Sequence, residues 1–249
     1  MYYLDRQRGL DGGNIYKVKN NFDLPLKKDR SGAYKIKPGG TVHVCLTSDF
    51  FLEQADEWRT EAWSMIKIRN DLHFHLQTKR AERVFECLPS DWGSGYDNVS
   101  LCFTAENQRR ADERIPILLE LPFKNKSIMC APMLGEITLE AYLSTGKISR
   151  VIVDGENYDG DRPLCYEWVK SLYDECLRHN VAFDFAGTGN YFIKNDKTYH
   201  IPKAYQHICA LRSGLQIPRK NSNIPIQPKC RECKMNQNCS GCKQCGKCR

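Results

Sequence analysis

Six short β-branched and aromatic runs recur along the chain at residues 42–46, 73–76, 99–103, 127–130, 150–153 and 181–185. Their starts lie 31, 26, 28, 23 and 31 residues apart. That distance holds one strand, one crossover helix and two loops. Helical patterns fill the gaps. Trp58, Ala62, Met65, Ile66 and Arg69 form a 3.6-residue stripe after the first run. Residues 81–88 follow the second run, and 107–121 the third, with Pro116 read as restarting that helix in a first turn. Residues 138–143 follow the fourth. Residues 166–179 follow the fifth, with Trp168, Leu172 and Cys176 on one face and Asn180 as the stop. Residues 203–213 follow the sixth and end before Gly214. Six βα units in series, without hairpin signals, predict an α/β fold. Its sheet is parallel with six strands, either open or curled into a partial TIM-type barrel.

Outside this rhythm the chain changes character. Residues 1–40 are polar and glycine-rich and read as an irregular opening segment; residues 41–216 hold the partial βα barrel. Residues 217–229, with three prolines, read as a linker to a cysteine-rich tail at 230–249. Hydrophobic content of 41% is ample for a core. No apolar run reaches the roughly 18 residues that span a bilayer. The start, MYYLDRQRGLDGG, lacks the apolar centre of a signal peptide. A cytoplasmic protein without a membrane partner is expected. Cys45, Cys87, Cys102, Cys130, Cys165, Cys176 and Cys209 are scattered through apolar runs, as buried free thiols of a reducing compartment would be.

The remaining six of the thirteen cysteines follow Cys230-x2-Cys233-x5-Cys239-x2-Cys242-x2-Cys245-x2-Cys248. Among them Met235 is the one large apolar residue, so the segment cannot organise itself around a core. Thiolates at this density point to a metal. The C-x2-C-x2-C run is similar to that of ferredoxins, although the last interval is short and no proline follows. A zinc ribbon wants two pairs some 15–20 residues apart, where this tail has five. No histidine lies beyond His207, so any site is all-thiolate. An iron–sulfur cluster (4Fe–4S), zinc, or unliganded redox-active thiols all remain open. Residues 219–249 carry eight Lys/Arg and one acid, Glu232, and so hold the whole net charge of +7. That excess either balances metal-bound thiolates or faces an acidic partner such as nucleic acid.

In parallel α/β folds the carboxyl ends of the strands form the ligand face. Here they are polar: Ser48 and Asp49; Gln77, Thr78, Lys79 and Arg80; Thr104, Glu106 and Asn107; Asp154 and Glu156. These residues are the candidate ligand contacts. For Ser48, Asp49 and Asn107, capping of the following helix is an equal reading. Lys79 and Arg80 at a helix start oppose its dipole and call for an anion nearby. Gly155 would let a backbone approach a ligand closely. His73 and His75 alternate on a strand and, with no third ligand in sight, read as packed side chains. No residue is assigned a catalytic role.

The runs TVHVCLTSDFF, LQTKRAERV, VSLCFTAENQRRADERIPILLELP, MCAPMLGEITL and VIVDGENYDGDRPL, in this order, resemble a phage-associated bacterial family of unknown function. The resemblance covers about residues 38–215. That family is recognised by an N-terminal three-cysteine motif and looks like a radical-SAM-type barrel. The resemblance implies a C-x3-C-x2-C loop binding a 4Fe–4S cluster whose open iron site holds S-adenosylmethionine. Its strand-end residues match Ser48, Asp49, Thr78, Lys79, Arg80, Glu106 and Asn107. Gly155 and Glu156 match a glycine-glycine-glutamate element in which the first glycine is Asp154 here. Ala131-Pro132 stands for a Glu-Pro, and Ala186-Gly187-Thr188-Gly189 for a Lys-Gln-Trp. No C-x3-C-x2-C precedes Cys45. Residues 1–6 resemble the segment that follows the loop, so the chain is expected to begin just after it and to leave a sheet edge exposed.

The reading that follows is a radical-SAM-like iron–sulfur protein, inactive in S-adenosylmethionine cleavage without those three cysteines. That cofactor is then used only by a form that carries them. The rivals are a zinc-knuckle nucleic-acid-binding protein and a non-enzymatic scaffold. The expected partners are a substrate of nucleotide or nucleic-acid type and a protein encoded nearby.

Overall fold

The computed structural model describes residues 9, 15–18, 20–45, 48–157 and 162–219. The linker from residue 220 and the tail cysteines Cys230, Cys233, Cys239, Cys242, Cys245 and Cys248 lie outside the described residues, as do residues 1–8.

All six expected strands are present. β1 (Thr41–Val44), β2 (His73–Thr78), β3 (Val99–Thr104), β4 (Asn125–Cys130), β5 (Arg150–Asp154) and β7 (Ala182–Gly187) lie side by side in chain order and pair in parallel. The sheet has seven strands rather than six, because β10 (Gln216–Ile217) adds antiparallel to β7. It curls into a half-barrel with β1 along one edge. The crossover helices are α1 (Asp56–Ile68), α2 (Gln108–Glu120), α3 (Glu140–Leu143) and α4 (Tyr166–Arg178), and α5 (Lys203–Arg212) leads into the antiparallel β10. Asn180, expected as a stop, takes φ 56° two residues past α4, and Gly214 takes φ 76° two residues past α5.

Several expectations need correction. Of the seven scattered cysteines read as buried thiols, Cys102, Cys130 and Cys176 are buried, Cys87, Cys165 and Cys209 are half-buried and Cys45 is exposed. Residues 81–88 form two single 3-10 turns, Ala81–Arg83 and Phe85–Cys87, instead of a helix. Pro116 does not restart the helix; it sits inside the continuous α2, on the solvent side, where its missing N–H costs a hydrogen bond without leaving a buried carbonyl. A hairpin is present after all. β8 (Tyr191–Lys194) and β9 (Lys197–His200) pair antiparallel across Asn195 and Asp196, and β8 also pairs with β6 (Leu164–Cys165). Both turn residues have positive φ, 51° and 59°, which is the geometry of a type I′ turn.

The two faces of the large sheet differ in chemistry. In a parallel ladder, paired residues point to the same face. One face carries Leu76, Leu101 and the row Phe103–Ile128–Val151–Phe183. It packs against Trp63 and Ile66 of α1, Ile115 and Leu118 of α2, and Leu172 and Cys176 of α4 in one continuous core. The other face carries the rows His43–His75–Ser100 and Gln77–Cys102–Ser127–Arg150. The inner wall of the half-barrel is thus polar, where a closed barrel of this type is filled by branched apolar side chains.

Candidate functional site

The carboxyl rim gathers the strand-end residues, and most of them satisfy one another. Asp49, buried just beyond β1, accepts from four donors: Phe51 N at 2.9 Å, Thr78 Oγ1 at 2.7 Å, Lys79 N at 3.1 Å and Arg80 Nη1 at 2.9 Å. It staples the end of β1 to the end of β2. Thr78 also accepts from Arg80 N at 2.9 Å. Ser48 is exposed and turns back, its N–H donating to Cys45 O at 2.9 Å. Asn107 caps α2, accepting from Arg110 N at 3.0 Å.

The anions that Lys79 and Arg80 call for are protein carboxylates. Arg80 takes Asp49, and Lys79 pairs with Glu106. Glu106 also accepts from Arg114 Nη1 at 2.9 Å, and Arg114 donates to Thr104 O at 2.6 Å. Burial pushes the Glu106 carboxyl up, but Lys79 and Arg114 outweigh it and hold the group below its ordinary range. Gln77 faces the inner wall and donates to Thr104 Oγ1 at 3.4 Å.

The β5 end is arranged differently. A Cβ on Gly155 would stand 2.4 Å from Thr188 O, and one on Gly189 2.8 Å from Glu156 N. The backbone that Gly155 admits is therefore that of Thr188–Gly189. Gly155 N donates to Gly187 O at 3.1 Å and Asn190 N to Glu156 O at 2.9 Å. Glu156 binds Arg162 through Nη2 at 2.7 Å and Nε at 3.0 Å. Asp154 accepts from Gly155 N at 2.8 Å, and burial raises its carboxyl above the ordinary value. Three residues on, Asn157 Oδ1 is buried without a hydrogen-bond partner among the described residues. A buried acceptor left unpaired costs about 1–3 kcal/mol unless something donates to it. Sequence reasoning quotes Asn157 in the strand end Asp154-Gly155-Glu156-Asn157 but takes only the two acids as ligand contacts.

At the other end of the rim a largely apolar hollow of about 410 Å³ opens between residues 15–18 and 21–25, β1 and α1. Its wall includes Tyr16, Phe22, Val44 and Trp58, and it reaches Ser48 and Asp49.

On the inner wall, sequence reasoning put His73 and His75 on one face of a strand and missed Ser100 and His43 beside them. Ser100 Oγ lies 2.9 Å from both His73 Nε2 and His75 Nδ1, and the His43 ring stands edge-on to His75 at 5.2 Å. The signal was legible as alternation, in His73-x-His75-x-Gln77 and Ser100-x-Cys102-x-Thr104. Among the described residues no three His, Cys, Asp or Glu side chains are placed to hold a metal ion.

The family described as a protein of unknown function (DUF5131) matches residues 8–245, and the chain belongs to it. No curated protein matches the chain. No solved structure matches it either. Among the described residues no helix is long and apolar enough to cross a membrane.

Proposed function

We propose that the chain is a radical-SAM-like iron–sulfur protein, a partial TIM-type barrel whose carboxyl rim binds an adenosyl ligand of the S-adenosylmethionine type. The phage association and the three-cysteine motif implied by the resemblance belong to the same proposal. The observation that carries it is the buried Asn157 Oδ1, which has no hydrogen-bond partner among the described residues and lies three residues past Asp154, the last residue of β5. An ammonium or hydroxyl donor satisfies such an acceptor, and an ammonium beside Asp154 offsets the burial that raises its carboxyl. The apolar hollow near Asp49, with aromatic walls and polar groups at one end, suits a purine. These residues fit an amino-acid nucleoside. Their part is to bind and orient it.

Cys230, Cys233, Cys239, Cys242, Cys245 and Cys248 supply the thiolates that an iron–sulfur cluster or zinc would use. A cluster there would supply electron transfer. Cleavage of S-adenosylmethionine calls for a three-thiolate loop that this sequence does not contain, so the proposal for this chain is binding.

Calorimetric titration of the purified chain with S-adenosylmethionine tests the reading. Saturable one-to-one binding, weakened at least tenfold by Asn157→Leu, is expected, the loss of one buried hydrogen bond being worth about that factor. No saturable binding to the unaltered chain overturns it.

The basic tail favours one further reading, a zinc knuckle on nucleic acid. In that case RNA or DNA binds with a steep salt dependence that disappears when residues 219–249 are removed.

A further inference from the structure

The β8–β9 hairpin carries a surface that neither the rim nor the core accounts for. Phe192 of β8 turns inward, almost fully buried, with its ring 5.9 Å from that of Phe185. Tyr191 alternates to the opposite face. Its register partner is His200, and the two ring centroids lie 5.3 Å apart. β9 is the edge strand of the small sheet, and all four of its residues, Lys197–His200, are exposed. Tyr191 keeps 39% and Tyr199 47% of its surface in solvent. The charge here has one sign. From residue 191 to 203 the chain holds Lys194, Lys197 and Lys203 against one acid, Asp196. Lys203 opens α5, three residues past the end of β9. The cations of α4, which packs against β8, are matched: Lys170 pairs with Asp174 and Arg178 with Glu140. Among the described residues the three lysines have no carboxylate partner, and Lys194 lies over the Tyr166 ring at 4.2 Å instead.

We infer that this edge binds single-stranded nucleic acid, its bases stacked on Tyr199 and on the Tyr191–His200 pair and its phosphates on Lys194, Lys197 and Lys203. Aromatic rings on an exposed strand offer faces that any base fits, and lysines beside them neutralise the backbone. A duplex keeps its bases stacked inside and has no use for the rings. An acidic peptide would use the lysines and leave the rings idle, so the combination favours nucleic acid. The surface is built from residues of the folded body rather than from the cysteine tail. It needs neither a metal nor an adenosyl ligand.

The test titrates a short fluorescent oligouridylate, and separately the matching oligothymidylate, with the full chain and follows anisotropy at several KCl concentrations. Saturable binding is expected, and the tighter of the two identifies RNA or DNA. Tyr191→Ala and Tyr199→Ala should each weaken it about fivefold or more, while Tyr199→Phe keeps the stacking face and the affinity. Lys197→Gln combined with Lys203→Gln should lower the slope of log K against log salt by about 1.4, the share of two phosphate contacts on a single strand. The slope separates lost contacts from lost fold, because misfolding lowers affinity alike at every salt concentration. No saturable binding, equal affinity for duplex, or displacement by polyglutamate as strong as by unlabelled oligonucleotide overturns the inference. So do an affinity and a slope unchanged in all the variants, which would assign the binding to the cysteine tail. S-adenosylmethionine is absent throughout, so the outcome does not depend on the rim.

Discussion

Asp49 shows how one side chain at a strand end can serve the fold rather than a ligand. It accepts from two backbone N–H groups, one hydroxyl and one guanidinium while being almost fully buried. Asp49→Ala removes the common acceptor and leaves Thr78 and two N–H groups to find water. It should lower the unfolding free energy by about 3 kcal/mol in urea titrations. Asp49→Asn keeps the shape and one acceptor and should cost less. His75 gives a pH dependence. Burial, then the neighbouring His43 and Arg150, pushes its folded value down to about 4 against an ordinary 6.5. The unfolded chain therefore binds a proton first as pH falls. Stability is full above pH 6.5 and declines toward pH 4, by up to about 3 kcal/mol. Unfolding curves between pH 7 and 4 check this, and His75→Asn should flatten the decline. Sequence alone identified these residues as polar strand positions. It could not tell a carboxylate that accepts four protein donors from one that awaits a ligand, because three of the four partners of Asp49 lie 29 to 31 residues away in the chain.

At the scale of elements, the six parallel strands and five of the six expected helices were legible. Strands near 28 residues apart leave room for little else, and the stripes of α1, α2, α4 and α5 are strongly periodic. The 81–88 segment misled because its apolar residues are helically spaced, while Arg83 donates to Phe51 O at 3.1 Å and to Asp56, holding the turn open. The β8–β9 hairpin was hidden because Asn195-Asp196 lacks the glycine that usually marks a type I′ turn. Asp196→Gly should relieve the positive φ there and raise stability by about 0.5–1 kcal/mol, measured by thermal unfolding. Gly155→Ala works the other way. Its Cβ meets Thr188 O at 2.4 Å, with backbone on both sides and no flexible group to yield. A loss of about 3 kcal/mol or more is expected, read by the same method.

At the scale of the molecule, charge and core are segregated. The core runs from Phe50 to Leu215 through the sheet and its outer helices, and the basic, cysteine-rich segment follows it in sequence. A chain ending at residue 219 should therefore keep its cooperative unfolding transition, within a few degrees of the full chain by calorimetry, while losing the thiolates of the tail. The polar inner wall makes the half-barrel a groove rather than a packed interior. Its pattern was present in the sequence as alternation, but alternation does not say which face curls inward. The central claim is an adenosyl-binding half-barrel joined to an iron–sulfur tail. Its most direct test is metal and sulfide analysis of the anaerobically purified full chain. An iron–sulfur tail gives about four iron and four sulfide per chain with absorbance near 400 nm; stoichiometric zinc in a colourless protein would contradict it.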